Sequence, residues 1–124
     1  MLKLSNAFSS FSVNDLQQAK SFYADTLGLS VTEEDHGLRI NTGETSVFAY
    51  PKPNHTPATF TILNFPVQNI EQAVSELSGR GVSFEQYDGE MKTDPQGIAR
   101  DHGMSMAWFK DPAGNFISVV EAKQ

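Results

Sequence analysis

An internal repeat is the feature of this sequence that most restricts its fold. Residues 11–21 and residues 65–75 align without a gap at a constant offset of 54 positions. Because this offset is close to half of the 124 residues, the sequence predicts two similar structural units, each too small to form a stable domain alone. The identical positions are Phe11/Phe65, Val13/Val67, Gln18/Gln72, Ala19/Ala73 and Ser21/Ser75.

Each copy of the repeat predicts a strand that leads into a helix. Phe11 and Val13 alternate with more polar neighbours, as in a strand with one buried face, and the second copy repeats this alternation. Asp15 and Asn69 are typical N-cap residues, and in each copy a glutamine follows three positions later, as in a capping box. Apolar residues then recur at helical spacing until glycine ends the helix, at Gly28 in the first copy and within 79–81 in the second.

Short apolar segments separated by turn residues follow each helix and predict further strands. These strands cover 29–32, 38–41 and 45–50 in the first copy and 82–87, 104–110 and 116–121 in the second. The sequence therefore predicts an α+β fold with two tandem βαβββ modules, at about 5–50 and 58–122, joined by a proline-rich connector at 51–57. The second module also carries a long polar segment at 88–103, where the first has only a short turn.

Composition narrows the classes of function. The net charge of −6 argues against nucleic acid as a partner, because its phosphates are also negative. The sequence contains no cysteine, which excludes disulfides, thiolate metal ligands and a cysteine nucleophile within it. No apolar run approaches the roughly 20 residues that a membrane helix needs. We therefore expect a cytoplasmic protein with neither nucleic-acid nor membrane partners.

Three motifs resemble those of one known family. They are Val13-Asn14-Asp15-Leu16, the pair Phe22-Tyr23 with Leu27-Gly28, and the run Trp-Phe-Lys-Asp-Pro-Ala-Gly-Asn-Phe at 108–116. In this order and spacing they resemble the vicinal oxygen chelate superfamily of glyoxalases, bleomycin-resistance proteins and extradiol dioxygenases. The resemblance implies a single domain, 1–124, in which the two modules form a half-open mixed barrel around a cleft. It also implies a homodimer.

The same resemblance indicates where a metal would be bound. Enzymes of that family typically hold a divalent metal with His, Gln or Glu on the first and last strands of each module. The corresponding positions here are Phe8, Ile62, Ser118 and either Val47 or Phe48. None of these side chains is a good metal ligand, so we expect neither a metal nor another cofactor.

Elsewhere the sequence provides no evident catalytic group. His36 lies in an acidic turn, and His55 lies in the connector, where we expect it to be exposed. His102 follows Asp101 in the polar segment and lies either at the surface or, if that segment folds over the cleft, near a ligand. A nucleophilic triad is unsupported because no histidine and acid partner is evident for the serines of the first strand, Ser9, Ser10 and Ser12.

Strand alternation predicts which side chains face the cleft. If Phe11 and Val13 pack on the helix, the residues between them face the other side of the sheet. We expect Trp108 to stack on a ligand and Arg39 to meet an anionic or carbonyl group, although core packing and a surface ion pair would also explain these two residues. The full predicted set is Phe8, Ser10, Ser12, Arg39, Asn41, Phe48, Tyr50, Phe60, Ile62, Asn64, Met106, Trp108, Lys110, Phe116, Ser118 and Val120.

This largely apolar and aromatic set predicts a metal-independent protein that holds a small organic ligand in a cleft. The alternative is a diverged lyase, isomerase or dioxygenase-like enzyme that uses Arg39, Tyr87 or a residue of the polar segment as acid, base or electrostatic group. An interaction module with a closed cleft is the third alternative. The polar segment itself is predicted to be a lid or to be disordered, and its candidate residues are Asp88, Asp94, Asp101 and His102.

Overall fold

The computed structural model describes residues 2–101 and 103–122. The chain divides into two compact units, Met1–Thr56 and Pro57–Gln124. The division lies at the end of the predicted connector, so each unit contains one copy of the repeat. Within the described ranges, no helix combines the length and the apolar character needed to cross a bilayer.

The first unit is a four-stranded sheet with a helical segment packed on one face. The strand order is β1-β4-β3-β2, with β1 parallel to β4 and the other neighbours antiparallel. The helix predicted to end at Gly28 is present, but its second half is π-helical rather than α-helical. The elements are β1 (Ser9–Val13), α1 (Leu16–Ser21), the π turn (Phe22–Thr26), β2 (Ser30–Glu34), β3 (Gly37–Asn41) and β4 (Ser46–Pro51).

Alternation along these strands separates a buried face from an open one. Phe11, Val13, Leu38 and Ile40 are buried on the helical side. Tyr23 from the π turn is fully buried there, and its ring centroid lies 5.9 Å from that of Phe11. The residues between the buried ones form the opposite face of the sheet. We call it the first open face, and it comprises Ser10, Ser12, Arg39, Phe48 and Tyr50.

The second unit repeats this plan with a longer passage between its helix and its last two strands. The strand order is β5-β8-β7-β6, with β5 parallel to β8, and α2 packs on β7 and β8. The predicted α+β fold class with two βαβββ modules is confirmed. The elements are β5 (Thr61–Pro66), α2 (Ile70–Gly79), a 3-10 turn (Gly89–Met91), β6 (Ala99–Asp101), β7 (Met104–Lys110) and β8 (Phe116–Ala122).

Both predicted N-caps are confirmed. The Asp15 carboxylate accepts hydrogen bonds from the backbone N–H groups of Gln17 and Gln18, each at 3.0 Å. The Asn69 side-chain oxygen accepts one from Gln72 N at 2.9 Å. These bonds satisfy donors that the first helical turn leaves without partners, and they set the direction in which each helix leaves its strand.

The strand predicted at 82–87 is wrong. In this segment only Phe84 forms a bridge, to Phe109 near the end of β7, and Glu85 N donates to Trp108 O at 2.8 Å. Residues 99–101, which were predicted to be loop, form β6 and pair with the beginning of β7. One edge of β7 is therefore shared by two segments. The apolar residues in 82–87 correctly indicated extended pairing at Phe84. They could not show that residues 99–101 pair with the other end of the same edge.

Candidate functional site

An apolar pocket of about 270 Å³ opens on the second unit. Its walls come from the residues before β5, from the segment that follows α2, from the 3-10 turn and from the open faces of β7 and β8. All of these elements belong to the second compact unit. The lining residues are Thr59, Phe60, Thr61, Tyr87, Met91, Trp108 and Phe116.

Trp108 is the central aromatic side chain of this pocket. Its neighbours in β7, Ala107 and Phe109, are buried against the core, so alternation directs Trp108 to the open face, where it is half-buried. Tyr87 packs edge-on against it, with the ring centroids 5.7 Å apart and an angle of 77° between the planes. Such a T-shaped contact helps to fix the orientation of the indole.

The polar side chains among the lining residues carry hydroxyl groups. Thr59 and Thr61 contribute one each, and Tyr87 contributes a phenol. Burial, with a smaller contribution from nearby Glu85, raises the pKa of Tyr87 above its usual value, so the phenol is protonated at neutral pH and can donate a hydrogen bond. The rim is apolar, because Phe60 is 69% exposed and Met91 is 42% exposed.

The turn between β7 and β8 positions two of the pocket walls. Asp111 is buried, and its Oδ1 accepts hydrogen bonds from the backbone N–H groups of Ala113 and Asn115, both at 2.9 Å. Asn115 donates from Nδ2 to Asp111 Oδ2 at 3.2 Å and accepts from Ala58 N at 3.0 Å. The motif Asp-Pro-Ala-Gly-Asn therefore fixes both the hairpin that carries Trp108 and the chain that enters the pocket at Thr59.

A family comparison accounts for this motif and for the repeated modules. The sequence model described as Glyoxalase/Bleomycin resistance protein/Dioxygenase superfamily matches residues 7–119. The chain belongs to this superfamily. The resemblance inferred from the three sequence motifs is thus confirmed. No functionally curated protein has a sequence that matches the chain.

Solved structures show the same fold over nearly the whole chain. A glyoxalase family protein from Enterococcus faecalis has 22% identity and a TM-score of 0.70, covering 92% of this chain and 94% of its own. A glyoxalase/bleomycin resistance protein/dioxygenase from Alicyclobacillus acidocaldarius has 11% identity and a TM-score of 0.72, with coverages of 97% and 92%. TnmS3, an antibiotic binding protein from Streptomyces sp. CB03234, has 25% identity and a TM-score of 0.66, with coverages of 99% and 100%.

The positions at which the superfamily resemblance places a metal carry side chains that do not fit one. Phe8 is 55% exposed, Ile62 and Phe48 are half-buried, and all three are hydrocarbon. Ser118 is fully buried, and its hydroxyl is 2.6 Å from Asn64 Oδ1, to which it donates. Among the residues that the structure describes, no three His, Asp or Glu side chains are grouped so that they could hold a metal ion.

The strand register settles which first-unit residue corresponds to Ser118. Ser118 lies opposite Asn64 in the second unit, and Phe48 lies opposite Ser10 in the first. Ser10 and Asn64 are related by the repeat offset of 54. The counterpart of Ser118 is therefore Phe48, whereas its neighbour Val47 is buried on the helical side.

Arg39 is the charged residue of the first open face. Its guanidinium carbon lies 4.6 Å from the ring centroid of Phe8 and 5.2 Å from that of Phe48. Nε and Nη2 donate to the two carboxylate oxygens of Glu34 at 3.3 and 3.2 Å. The surface ion pair considered for Arg39 is present in the structure.

A second pair on the first open face corrects two expectations. Ser12 Oγ lies 2.6 Å from His55 Nδ1, within a partly buried hydrogen bond. Ser12 therefore does have a histidine partner, and His55 is half-buried against β1 rather than simply exposed in the connector. Since 43 positions separate the two residues, only the folded path of the connector brings them together.

The polar segment at 88–103 is tied to the second unit by buried residues and ion pairs. Thr93, Ile98 and Ala99 are buried. Arg100 bridges Asp94 and Glu71 of α2, with nitrogen–oxygen distances of 2.7 and 2.8 Å. Of the other candidate lid residues, Asp88 is exposed before the 3-10 turn, Asp101 ends β6, and His102 lies outside the described residues.

Arg100 keeps both carboxyl groups ionised to lower pH than usual. A hydrogen bond from Arg100 is the main cause that lowers the pKa of Glu71. Desolvation acts to raise the pKa of Asp94, but hydrogen bonds from Arg100 and from the backbone of Ile98 and Gln96 outweigh it, so this pKa is also lowered. Groups with lowered folded-state pKa values stabilise the protein above their unfolded pKa, and this stabilisation is lost as pH falls through the folded values.

Replacement of Arg100 by glutamine should therefore destabilise the protein more at pH 7 than at pH 3. At neutral pH the substitution removes both ion pairs, whereas pH 3 lies below the ordinary pKa values of both carboxyl groups, so part of the stabilisation is already lost there and the substitution removes less. Urea unfolding midpoints at the two pH values measure the difference. Lys20→Gln is the control, because its single pair of 3.5 Å with Glu33 joins two exposed side chains. An equal loss at both pH values would contradict the prediction.

The structure brings together part of the predicted cleft set. Phe60, Trp108 and Phe116 line the pocket, as does Tyr87, which was considered only as a catalytic group. Ile62, Asn64, Met106 and Ser118 do not line it. Thr59, Thr61 and Met91 were missed. The pairing of β5 changes register between Thr61 and Leu63, so strict alternation from the repeat residues Phe65 and Val67 does not predict the side on which Thr61 lies. Met91 lies in a segment that has no counterpart in the first unit.

Proposed function

We propose that this chain is a small-molecule-binding protein of its superfamily, in which the second unit captures a planar apolar ligand on the face of Trp108. The pocket itself is the observation that carries this proposal. Its walls are mostly aromatic and apolar, and Trp108 is half-buried among them, so part of the indole is accessible to a ligand.

The chemistry of the walls indicates the ligand class. None of the pocket-lining residues is charged, and the three hydroxyls can orient a neutral ligand that carries one or two polar atoms. The volume is just below the range of about 300–1,000 Å³ that is typical of drug-sized ligands. A molecule with one or two fused rings therefore suits this pocket better than a large or anionic one.

Binding without a metal is part of the proposal. It is supported by the hydrocarbon and serine side chains at the positions where the superfamily resemblance places metal ligands. The antibiotic-binding description of TnmS3 is compatible with it.

The enzyme alternative is less well supported. Arg39 and Asp94 are held in ion pairs, and the raised pKa of Tyr87 makes its phenolate a rare species at neutral pH. A homodimer and a cytoplasmic location are further expectations.

A thermal-shift screen with neutral one- and two-ring aromatic compounds tests the proposal, because a ligand that binds only the folded state raises the unfolding temperature. The sole tryptophan of the sequence then reports binding directly through its fluorescence. For a confirmed compound, Trp108→Ala should weaken binding by about 30-fold, or about 2 kcal/mol, measured by calorimetry. Binding that survives this substitution unchanged would place the ligand elsewhere.

Two methionines provide a matched control. Met91 lines the pocket and is 42% exposed, whereas Met104 lies outside the lining set and is 46% exposed. Met91→Ala should therefore weaken binding several-fold, and Met104→Ala should leave it unchanged.

Metal analysis of protein purified without chelators tests the other part of the proposal. A stoichiometric transition metal would contradict metal-independent binding.

A further inference from the structure

The hydrogen bond between Ser12 and His55 has the geometry of an activated nucleophile. The 2.6 Å separation of Oγ and Nδ1 is at the short end of the range over which a histidine acts as a general base. In the neutral tautomer that carries its proton on Nε2, the imidazole accepts the hydrogen bond that the Ser12 hydroxyl donates through Nδ1. Serine is a weak nucleophile until such a base removes its proton.

Backbone hydrogen bonds position the part of the connector that carries the imidazole. Lys52 N donates to Val13 O at 3.0 Å, which attaches the start of the connector to the end of β1. His55 N donates to Lys52 O at 3.0 Å, which closes a turn and directs the chain back toward β1. Ser12 is fixed by its pairing with Tyr50 in β4. Both partners are thus positioned by the main chain, as a reactive pair requires.

The pair also lies on an accessible side of the sheet. Phe11 and Val13, on either side of Ser12, are buried under the helical segment, so the hydroxyl is directed to the first open face and is half-buried. Ser10 is on the same face of the same strand and is exposed. Because Ser10 lacks the contact to His55, it serves as an internal reference for an unactivated serine.

We propose that Ser12 is a nucleophile activated by His55, and that the first unit carries an acyl-transfer site for small activated esters. This activity goes beyond the binding function proposed for the second unit and depends on different residues. Neither of the two residues coordinates a metal in this reaction.

The reaction proceeds in two balanced halves. As Ser12 Oγ forms a bond to the ester carbonyl carbon, its proton passes to His55 Nδ1; the bond to the leaving alkoxide then breaks, and the alkoxide takes that proton. Water next attacks the acyl carbon and gives a proton to His55. The bond from carbon to Oγ breaks, Ser12 regains the proton, and a carboxylic acid leaves.

Labelling by diisopropyl fluorophosphate tests the first half. The Oγ–P bond forms, the P–F bond breaks, and fluoride leaves while His55 takes the serine proton. Peptide mass spectrometry of the folded full-length protein should locate the label on Ser12, at a rate about 100-fold above that of Ser10. Absence of label on Ser12 in the unmodified protein would overturn the proposal, and this result does not depend on whether any variant folds.

His55→Ala tests the role of the imidazole. This variant should label Ser12 about 100-fold more slowly, and added free imidazole should restore much of the rate, which a merely structural contact would not allow. Ser10→Ala should leave labelling unchanged, and circular dichroism confirms that each variant is folded. Undiminished labelling in His55→Ala, or a loss that imidazole does not restore, would overturn the proposal. Ligand binding on Trp108 is unaffected in either case.

Discussion

Replacement of Asp111 by alanine should lower the free energy of unfolding by about 3 kcal/mol. The substitution removes the carboxylate that accepts two backbone N–H groups and the Asn115 amide within a buried turn, so three hydrogen bonds are lost. Hydrogen bonds to charged acceptors contribute more than neutral ones, and their loss in a buried site is correspondingly costly. Chemical denaturation monitored by Trp108 fluorescence measures the change.

Two further variants test the cause of this loss. Asp111→Asn retains one oxygen acceptor, but it directs an amide nitrogen toward Asn115 Nδ2, so an intermediate loss is expected. Asp88→Ala removes an exposed aspartate that makes no capping hydrogen bond, and it should change stability by less than about 0.5 kcal/mol. If Asp88→Ala and Asp111→Ala were equally destabilising, the hydrogen bonds of the turn could not be the reason.

A methyl group added at Gly37 should destabilise the first unit by a similar amount, about 3 kcal/mol. Gly37 is buried at the start of β3, and a Cβ atom there would collide with the carbonyl oxygen of Ala49 and come within 2.8 Å of the Phe48 ring. The carbonyl belongs to the β4 backbone and cannot move without breaking the pairing between the strands. Thermal unfolding of Gly37→Ala measures the effect.

Gly79→Ala is the matched control for this substitution. Gly79 is the last residue of α2, and a Cβ atom at that position would meet no other atom within 4 Å. Alanine is a better helix former than glycine by up to about 1 kcal/mol, so this variant should be unchanged or slightly more stable. A destabilised Gly79→Ala would show that the loss at Gly37 reflects glycine replacement in general rather than a steric collision.

The parts of the fold that depend on neighbouring residues could be predicted from the sequence. Asp15 and Asn69 were identified as N-caps because a side-chain oxygen reaches backbone donors only two or three positions away. The burial of Phe11 and Val13 and the exposure of Ser10 follow from the alternation of a strand. Trp108 lies on the side of β7 opposite to the buried Ala107 and Phe109 for the same reason.

The parts that depend on distant partners could not be predicted. His55 reaches Ser12 only through the turn of the connector, and no local pattern specifies that turn. Met91 enters the pocket from a segment without a counterpart in the first unit. The edge of β7 pairs with Phe84 at one end and with Ala99 at the other, and apolar alternation does not specify how two segments divide one edge between them.

The π turn at 22–26 corresponds to a difference of one residue in the length of the helical segments of the two units. Gly28 follows the N-cap Asp15 by 13 positions, whereas Gly81 follows Asn69 by 12, and both glycines have positive φ angles at the end of a helical segment. Wide π turns of this kind accommodate one additional residue within an α-helix. The extra residue of the first unit is thus accommodated within the helical segment, and β2 begins at the same point relative to the closing glycine as it would without that residue.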